Sequence, residues 1–152
     1  MTFSLFKRKP LFDAARQKRI VDAIQLAEKC TSGEIRVYVE RHCRYVDPLD
    51  RAVEVFAALK MENTTARNGV LVYVALKDRQ LAILGDRGIH QKVGQAFWNE
   101  QVRSILSHFN KEDYAGGIAA VVTDIGHALE THFPYDRDTD TNELPDDIVF
   151  GR

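Results

Sequence analysis

The sequence contains few cysteines, and their positions exclude several kinds of protein. Only two occur, Cys30 and Cys43, and they do not have the C-x-x-C spacing of a structural zinc site or a thioredoxin-like redox motif. They flank one predicted strand, which should hold the two sulfur atoms beyond the reach of a disulfide bond. We therefore predict two reduced thiols, which favours a cytoplasmic protein.

Long hydrophobic segments are also absent. The longest apolar run is residues 69–76, far short of the roughly 20 residues that a membrane-spanning helix needs. The N-terminal basic residues are not followed by a long apolar core, so they do not predict a secretory signal. A net charge of −1 provides no overall attraction to nucleic acid or to a membrane surface. The sequence thus predicts a soluble protein with no membrane span and no nucleic-acid partner.

Common catalytic motifs are missing as well. The chain has no phosphate-binding P-loop, no G-x-S-x-G nucleophile turn and no H-E-x-x-H metal motif. Its five histidines are scattered along the sequence, and we expect no histidine–carboxylate pair among them. The sequence therefore names no catalytic residue, and only metal-based chemistry remains open to an enzyme.

Hydrophobic periodicity predicts helices and strands in the order α-β-α-β-β-α-α. We predict helices at residues 13–29, 47–61, 88–109 and 114–132, and strands at residues 35–40, 70–76 and 80–84, with a possible edge strand at 148–150. The first strand alternates polar and apolar residues, which predicts one covered face, whereas the second is apolar throughout and should be covered on both faces. A strand–helix–strand unit of this length predicts a parallel pair, and the turn at residues 77–79 predicts a hairpin. The predicted fold class is α/β, a three-layer α/β/α sandwich around a small mixed sheet.

The distribution of charge and the predicted ends of the helices and strands divide the chain into three regions. Residues 1–20 hold six Lys and Arg against one Asp, and residues 134–152 hold six Asp and Glu against two Arg. We predict a basic N-terminal segment at residues 1–12, one α/β domain at 13–133 and an acidic tail at 134–152. Within the domain, Gly33 is expected to end the first helix in a left-handed conformation.

Three polar turns adjoin the three predicted strands and should meet at one edge of the sheet. They are residues 32–34, 67–69 and 85–88. Together they bring two carboxylates and a carboxamide, from Glu34, Asp86 and Asn68, beside exposed backbone N–H groups. Such an oxygen-rich cluster suits a hard divalent cation or a phosphate-bearing ligand.

Each of these residues also has a purely structural interpretation. Glu34 can be a solvent-facing first residue of a strand, and Asp86 can cap the helix that follows it. The opposite end of the sheet, near His42, Cys43 and Asp78, is a rival location because ligands of α/β proteins usually bind at the carboxyl ends of parallel strands.

Four segments in this order resemble the TPM-domain family. They are residues 32–37, 67–74, 85–89 and 114–118, and the resemblance extends over residues 17–133. It implies an α/β/α sandwich with divalent cations, chiefly calcium, in loops at the sheet edge. It also implies phosphatase activity in some members. The chain looks like the stand-alone soluble subgroup, without signal peptide or membrane anchor.

The cluster of polar turns makes Glu34, Asn68 and Asp86 the candidate ligands for the cation that the resemblance implies, with Mg²⁺ or Mn²⁺ as alternatives to Ca²⁺. Members often have Asp where this chain has Arg67, so one cation ligand is replaced by a guanidinium. Arg67 and Arg87 can bind a phosphate group or neutralise the carboxylates. Two functions follow as hypotheses: a cation-responsive binding module that assists a protein partner, or a slow metal-dependent phosphatase that acts on a phosphorylated small molecule.

Overall fold

The computed structural model describes residues 10–135 and 147–151. Residues 1–9 of the predicted basic segment and residues 136–146 of the predicted acidic tail lie outside this part of the chain. The elements in chain order are α1 Ala14–Glu28, β1 Glu34–Glu40, α2 Pro48–Ala58, β2 Gly69–Ala75, β3 Gln80–Gly85, α3 Arg87–Phe109, α4 Tyr114–His132 and β4 Ile148–Phe150. The predicted order is confirmed, and so is the edge strand near the C-terminus. None of the described helices is both long and apolar enough to cross a membrane.

The sheet has four strands in the order β3-β2-β1-β4. The central pair β1 and β2 is parallel, with Glu34 opposite Gly69 and Glu40 opposite Ala75. β3 returns antiparallel to β2, and β4 adds to β1 in parallel. The parallel pair and the hairpin are therefore both as the sequence predicts.

Helices cover both faces of this sheet, which confirms the three-layer sandwich. On one face the side chains of Ile35, Val37 and Val39 join the core formed with α1, α3 and α4. On the other face Leu71 and Tyr73 pack against α2. All seven residues of β2 are buried, as expected of a central strand covered on both sides.

Local sequence signals set the ends of the helices. Asp47 caps α2 by accepting a hydrogen bond from the backbone N–H of Leu49 at 2.9 Å, and Pro48 occupies the first helical position. Gly94 interrupts α3 with φ 78° and ψ 171°, so this helix consists of two segments joined at a kink.

Two local predictions are wrong, and tertiary packing explains both. Gly33 does not have a positive φ. A Cβ at that position would lie 2.7 Å from Cδ2 of Leu129 on α4, so glycine is needed there for close packing. The polar face of β1 is also buried rather than solvated, since Glu34, Arg36 and Glu40 are each at most 7% exposed.

Candidate functional site

The three polar turns meet at one end of the sheet, as the sequence predicts. The backbone N–H of Glu34 donates to the carbonyl oxygen of Asn68 at 3.4 Å, and that of Asp86 donates to Gly69 at 2.9 Å. The N–H of Gly88 donates to the carbonyl oxygen of Arg67 at 2.8 Å. These bonds tie the beginnings of β1 and β2 to the beginning of α3 in one cluster, which we call the sheet-edge site.

Asn68 is the most deeply buried side chain of this site, at 1% exposed. Its Nδ2 donates to Oγ of Ser32 at 3.3 Å. Its Oδ1 is buried and accepts no hydrogen bond from any described residue. A buried amide oxygen without a donor is costly, and it marks a position where a cation or a water molecule can bind.

Asp86 has two structural roles at the site. It caps α3 by accepting a hydrogen bond from the backbone N–H of Arg87 at 2.7 Å. It also forms a bidentate ion pair with Arg67, with Nε to Oδ2 at 2.6 Å and Nη2 to Oδ1 at 2.9 Å. This bonding to Asp86 raises the pKa of Arg67. Of the two roles that the sequence left open for Arg67, neutralisation of a carboxylate is the one observed.

Arg67 adopts an unusual backbone conformation to make this pair. Its φ is 52°, in the left-handed region that non-glycine residues seldom adopt. The neighbouring Arg87 differs, because its side chain is exposed and forms no ion pair or hydrogen bond with the described residues.

Glu34 also lies near a guanidinium. Burial lowers the pKa of Arg36, and the negative charges of Glu28, Asp147 and Glu34 oppose that effect. Each carboxylate of the sheet-edge site thus has an arginine beside it. In the described part of the chain no three His, Cys, Asp or Glu residues cluster as metal ligands would. The side-chain oxygen atoms of Glu34, Asn68 and Ser32 are suitable ligands for a hard cation that keeps several of its water molecules.

The opposite end of the sheet holds a buried ionic network that sequence reasoning missed. Arg51 of α2 donates from Nε to Oε2 of Glu40 at 2.9 Å and from Nη2 to Oε1 at 3.1 Å. The Tyr73 hydroxyl also donates to Glu40. Burial, then hydrogen bonding to Glu40, raises the pKa of Tyr73. The only sequence signal for this network is a strand that ends in Glu followed by an amphipathic helix that carries one Arg.

A histidine–carboxylate pair lies at this same end, so the expectation that the chain has none is wrong. His42 Nδ1 lies 2.9 Å from Oδ1 of Asp78, and the backbone N–H of Cys43 donates to Oδ2 at 2.7 Å. The bond to His42, followed by that to Cys43, lowers the pKa of Asp78. The rival location therefore does assemble from residues 36 positions apart in the sequence. Both cysteines are free thiols, as predicted.

Fold and sequence comparisons together define the class. A model of the TPM domain family matches residues 6–128. The solution structure of BA42 from the psychrophilic bacterium Bizionia argentinensis superposes with a TM-score of 0.86 at 42% identity, over 96% of this chain and 99% of BA42. The N-terminal domain of cg2496 from Corynebacterium glutamicum has the same fold, with a TM-score of 0.58 at 15% identity over 91% of this chain and 80% of that domain. A search among curated proteins gave no match.

The protein is thus a small α/β/α sandwich in which polar turns gather at one sheet edge. The chain belongs to the TPM-domain family.

Proposed function

We propose that this TPM domain is a cation-responsive binding module whose divalent cation, Ca²⁺ in the first instance, binds at the sheet-edge site. The observation that carries the proposal is the buried Oδ1 of Asn68, which accepts no hydrogen bond from the described residues. It lies at the same strand end as the buried carboxylate of Glu34. A hard cation at this position would take the carboxamide and carboxylate oxygens as ligands of the kind that Ca²⁺ prefers.

Glu34, Asn68 and Asp86 are the proposed metal residues, but they contribute unequally. Asp86 is already compensated by Arg67 at 2.6 and 2.9 Å. Ca²⁺ must therefore compete with an internal guanidinium for that carboxylate. We expect weak binding, with a dissociation constant of about 10⁻⁴–10⁻³ M, as in sites with few charged ligands. A module of this kind would signal calcium to a protein partner.

Calcium titration of the wild type and two variants tests this proposal. Glu34→Gln should weaken binding, because it removes the one carboxylate that Arg67 does not hold. Arg67→Gly should strengthen binding about tenfold, because it frees Asp86 for the cation. Glycine tolerates the positive φ of position 67. Isothermal calorimetry in calcium-free buffer measures all three affinities.

Arg87→Gln is the matched control for the charge that Arg67→Gly removes. It deletes one positive charge at the same turn but leaves the Arg67–Asp86 pair intact, so we expect a change of about twofold or less. Equal affinities for the wild type and Glu34→Gln would place any bound cation elsewhere and contradict the proposal.

The second candidate function is a slow metal-dependent phosphatase acting on a phosphorylated small molecule. The exposed guanidinium of Arg87 favours it, because this side chain stands beside Asp86 without an internal partner among the described residues. Arg87 would hold the phosphate, as would Arg67 if it left Asp86. A bound divalent cation would supply Lewis acidity and an activated water.

An aryl phosphate assay distinguishes the two functions. If the domain is a phosphatase, turnover should require Mg²⁺ or Mn²⁺, stay below roughly 1 s⁻¹ and fall at least about tenfold in Glu34→Gln. Calcium polarises water less than these ions do and should support less turnover. Undiminished activity in EDTA would exclude the metal mechanism, whereas no turnover with any ion would leave the binding module as the function.

A further inference from the structure

A cleft of about 1140 Å³ opens at the end of the sheet opposite the sheet-edge site. It lies where the parallel strands β1 and β4 end, and its lining includes Glu40, Phe150 and Gly151. Ligands of open α/β sheets bind outside the carboxyl ends of the strands. The volume lies slightly above the roughly 300–1,000 Å³ of typical small-molecule sites, so the cleft has room for a ligand of that size.

The floor of the cleft is held in place by a network in which one guanidinium, that of Arg51, pairs with two carboxylates. Arg51 donates to Glu40 through Nε and Nη2 and to the Tyr38 hydroxyl through Nη2 at 3.2 Å. It also pairs with Glu54, whose second oxygen accepts from the Tyr45 hydroxyl. With every nitrogen of its guanidinium engaged, Arg51 is a structural part of the wall. Such a preorganised network holds the rim residues in place around a ligand.

The rim supplies cationic and donor groups that this network does not use. Arg44 lines the cleft and forms no ion pair or side-chain hydrogen bond with the described residues. His42 also lines it, and the bond between its Nδ1 and Asp78 leaves Nε2 for another partner. The lining holds three arginines, Arg41, Arg44 and Arg51, against two carboxylates, Glu40 and Glu54. This excess of one positive charge favours an anion.

Two aromatic side chains complete the site. Tyr45 is 40% exposed and Phe150 is 42% exposed, and both line the cleft. Apolar walls with a few convergent polar groups are the usual composition of a small-molecule site.

We propose that this cleft binds a small organic anion, a phosphate or carboxylate carried on an aromatic or apolar group. The anionic group lies against Arg44 and His42, and the apolar part lies against Tyr45 and Phe150. The site is separate from the sheet-edge cation site, and its occupation does not require a metal.

NMR titration of the 152-residue chain in EDTA tests the inference. The probes are phenyl phosphate and benzoate. Two further compounds each represent one part of such a ligand: inorganic phosphate represents the anionic group, and benzyl alcohol represents the aromatic group. We expect phenyl phosphate or benzoate to shift the amide signals of Tyr45 and Gly151. Inorganic phosphate and benzyl alcohol should each bind at least about tenfold more weakly. Whichever of phenyl phosphate and benzoate binds with the higher affinity shows whether the cleft prefers a phosphate or a carboxylate.

Four variants test which side chains contact the ligand. Arg44→Gln should weaken binding about fivefold, because it removes a charge-assisted contact. Arg103→Gln, which removes an exposed arginine on α3, should have no effect. Tyr45→Ala should abolish binding, because the ring contacts the apolar part of the ligand. Tyr45→Phe keeps the ring and loses only the hydrogen bond to Glu54, so its affinity should lie between those of the wild type and Tyr45→Ala.

The outcomes separate this inference from the proposed cation site. Binding that persists in EDTA and in Glu34→Gln supports the cleft regardless of calcium. Shifts confined to Asp86 and Gly88 would place the anion at the sheet edge and overturn the inference, as would equal affinities for the wild type and Arg44→Gln.

Discussion

Replacing Arg51 by methionine should lower the free energy of unfolding by about 3 kcal/mol at neutral pH, because it leaves a buried carboxylate without its cation. The side chain of Glu40 is 5% exposed, and Arg51 supplies two of its hydrogen bonds. Methionine keeps most of the length of the side chain, so the decrease in the free energy of unfolding reflects the loss of the positive charge rather than the creation of a cavity. Urea unfolding of the variant and the wild type measures the difference.

Glu54→Gln is the control for this prediction. Glu54 pairs with the same guanidinium, but its side chain is 48% exposed, so its loss should cost much less than the loss of Arg51. The deficit of Arg51→Met should therefore be several times that of Glu54→Gln. A deficit below about 1 kcal/mol at neutral pH would mean that water or another cation replaces Arg51.

Gly88→Ala should destabilise the protein by about 3 kcal/mol and lower its melting temperature by about 6–12 °C. A Cβ at position 88 would lie 2.1 Å from the carbonyl oxygen of Ala66 and 2.6 Å from that of Arg67. Both atoms belong to the backbone of the turn that carries Asn68, so relief of the clash must move the sheet-edge site. Thermal unfolding followed by circular dichroism measures the effect.

Gly94→Ala separates close packing from backbone conformation as the cause. Gly94 has φ 78°, and a Cβ there would have no neighbour within 4 Å, so we expect a cost of about 1 kcal/mol from the left-handed conformation alone. Equal destabilisation by the two substitutions would contradict a role for the Gly88 contact.

Much of the sheet-edge site could be predicted from local sequence. Each turn directly adjoins an element with a clear hydrophobic pattern, and the parallel crossover and hairpin then require the turns to meet. Glu34, Asn68 and Asp86 therefore come together as expected. Their partners could not be predicted in the same way, since a side-chain ion pair depends on rotamers and on a few ångströms of backbone position.

The sequence by itself determined the order of the elements, the α/β/α layers, the parallel pairing of β1 with β2 and the gathering of the polar turns. These features follow from periodicity and turn residues, which act over a few positions of the chain. Only the tertiary structure decided that Arg67 compensates Asp86, that Arg51 and Tyr73 hold Glu40, and that β4 completes the wall of a cleft beside β1. Each of these contacts joins residues from separate elements. A buried charge needs a partner, and only the packing of the elements decides which distant residue supplies it.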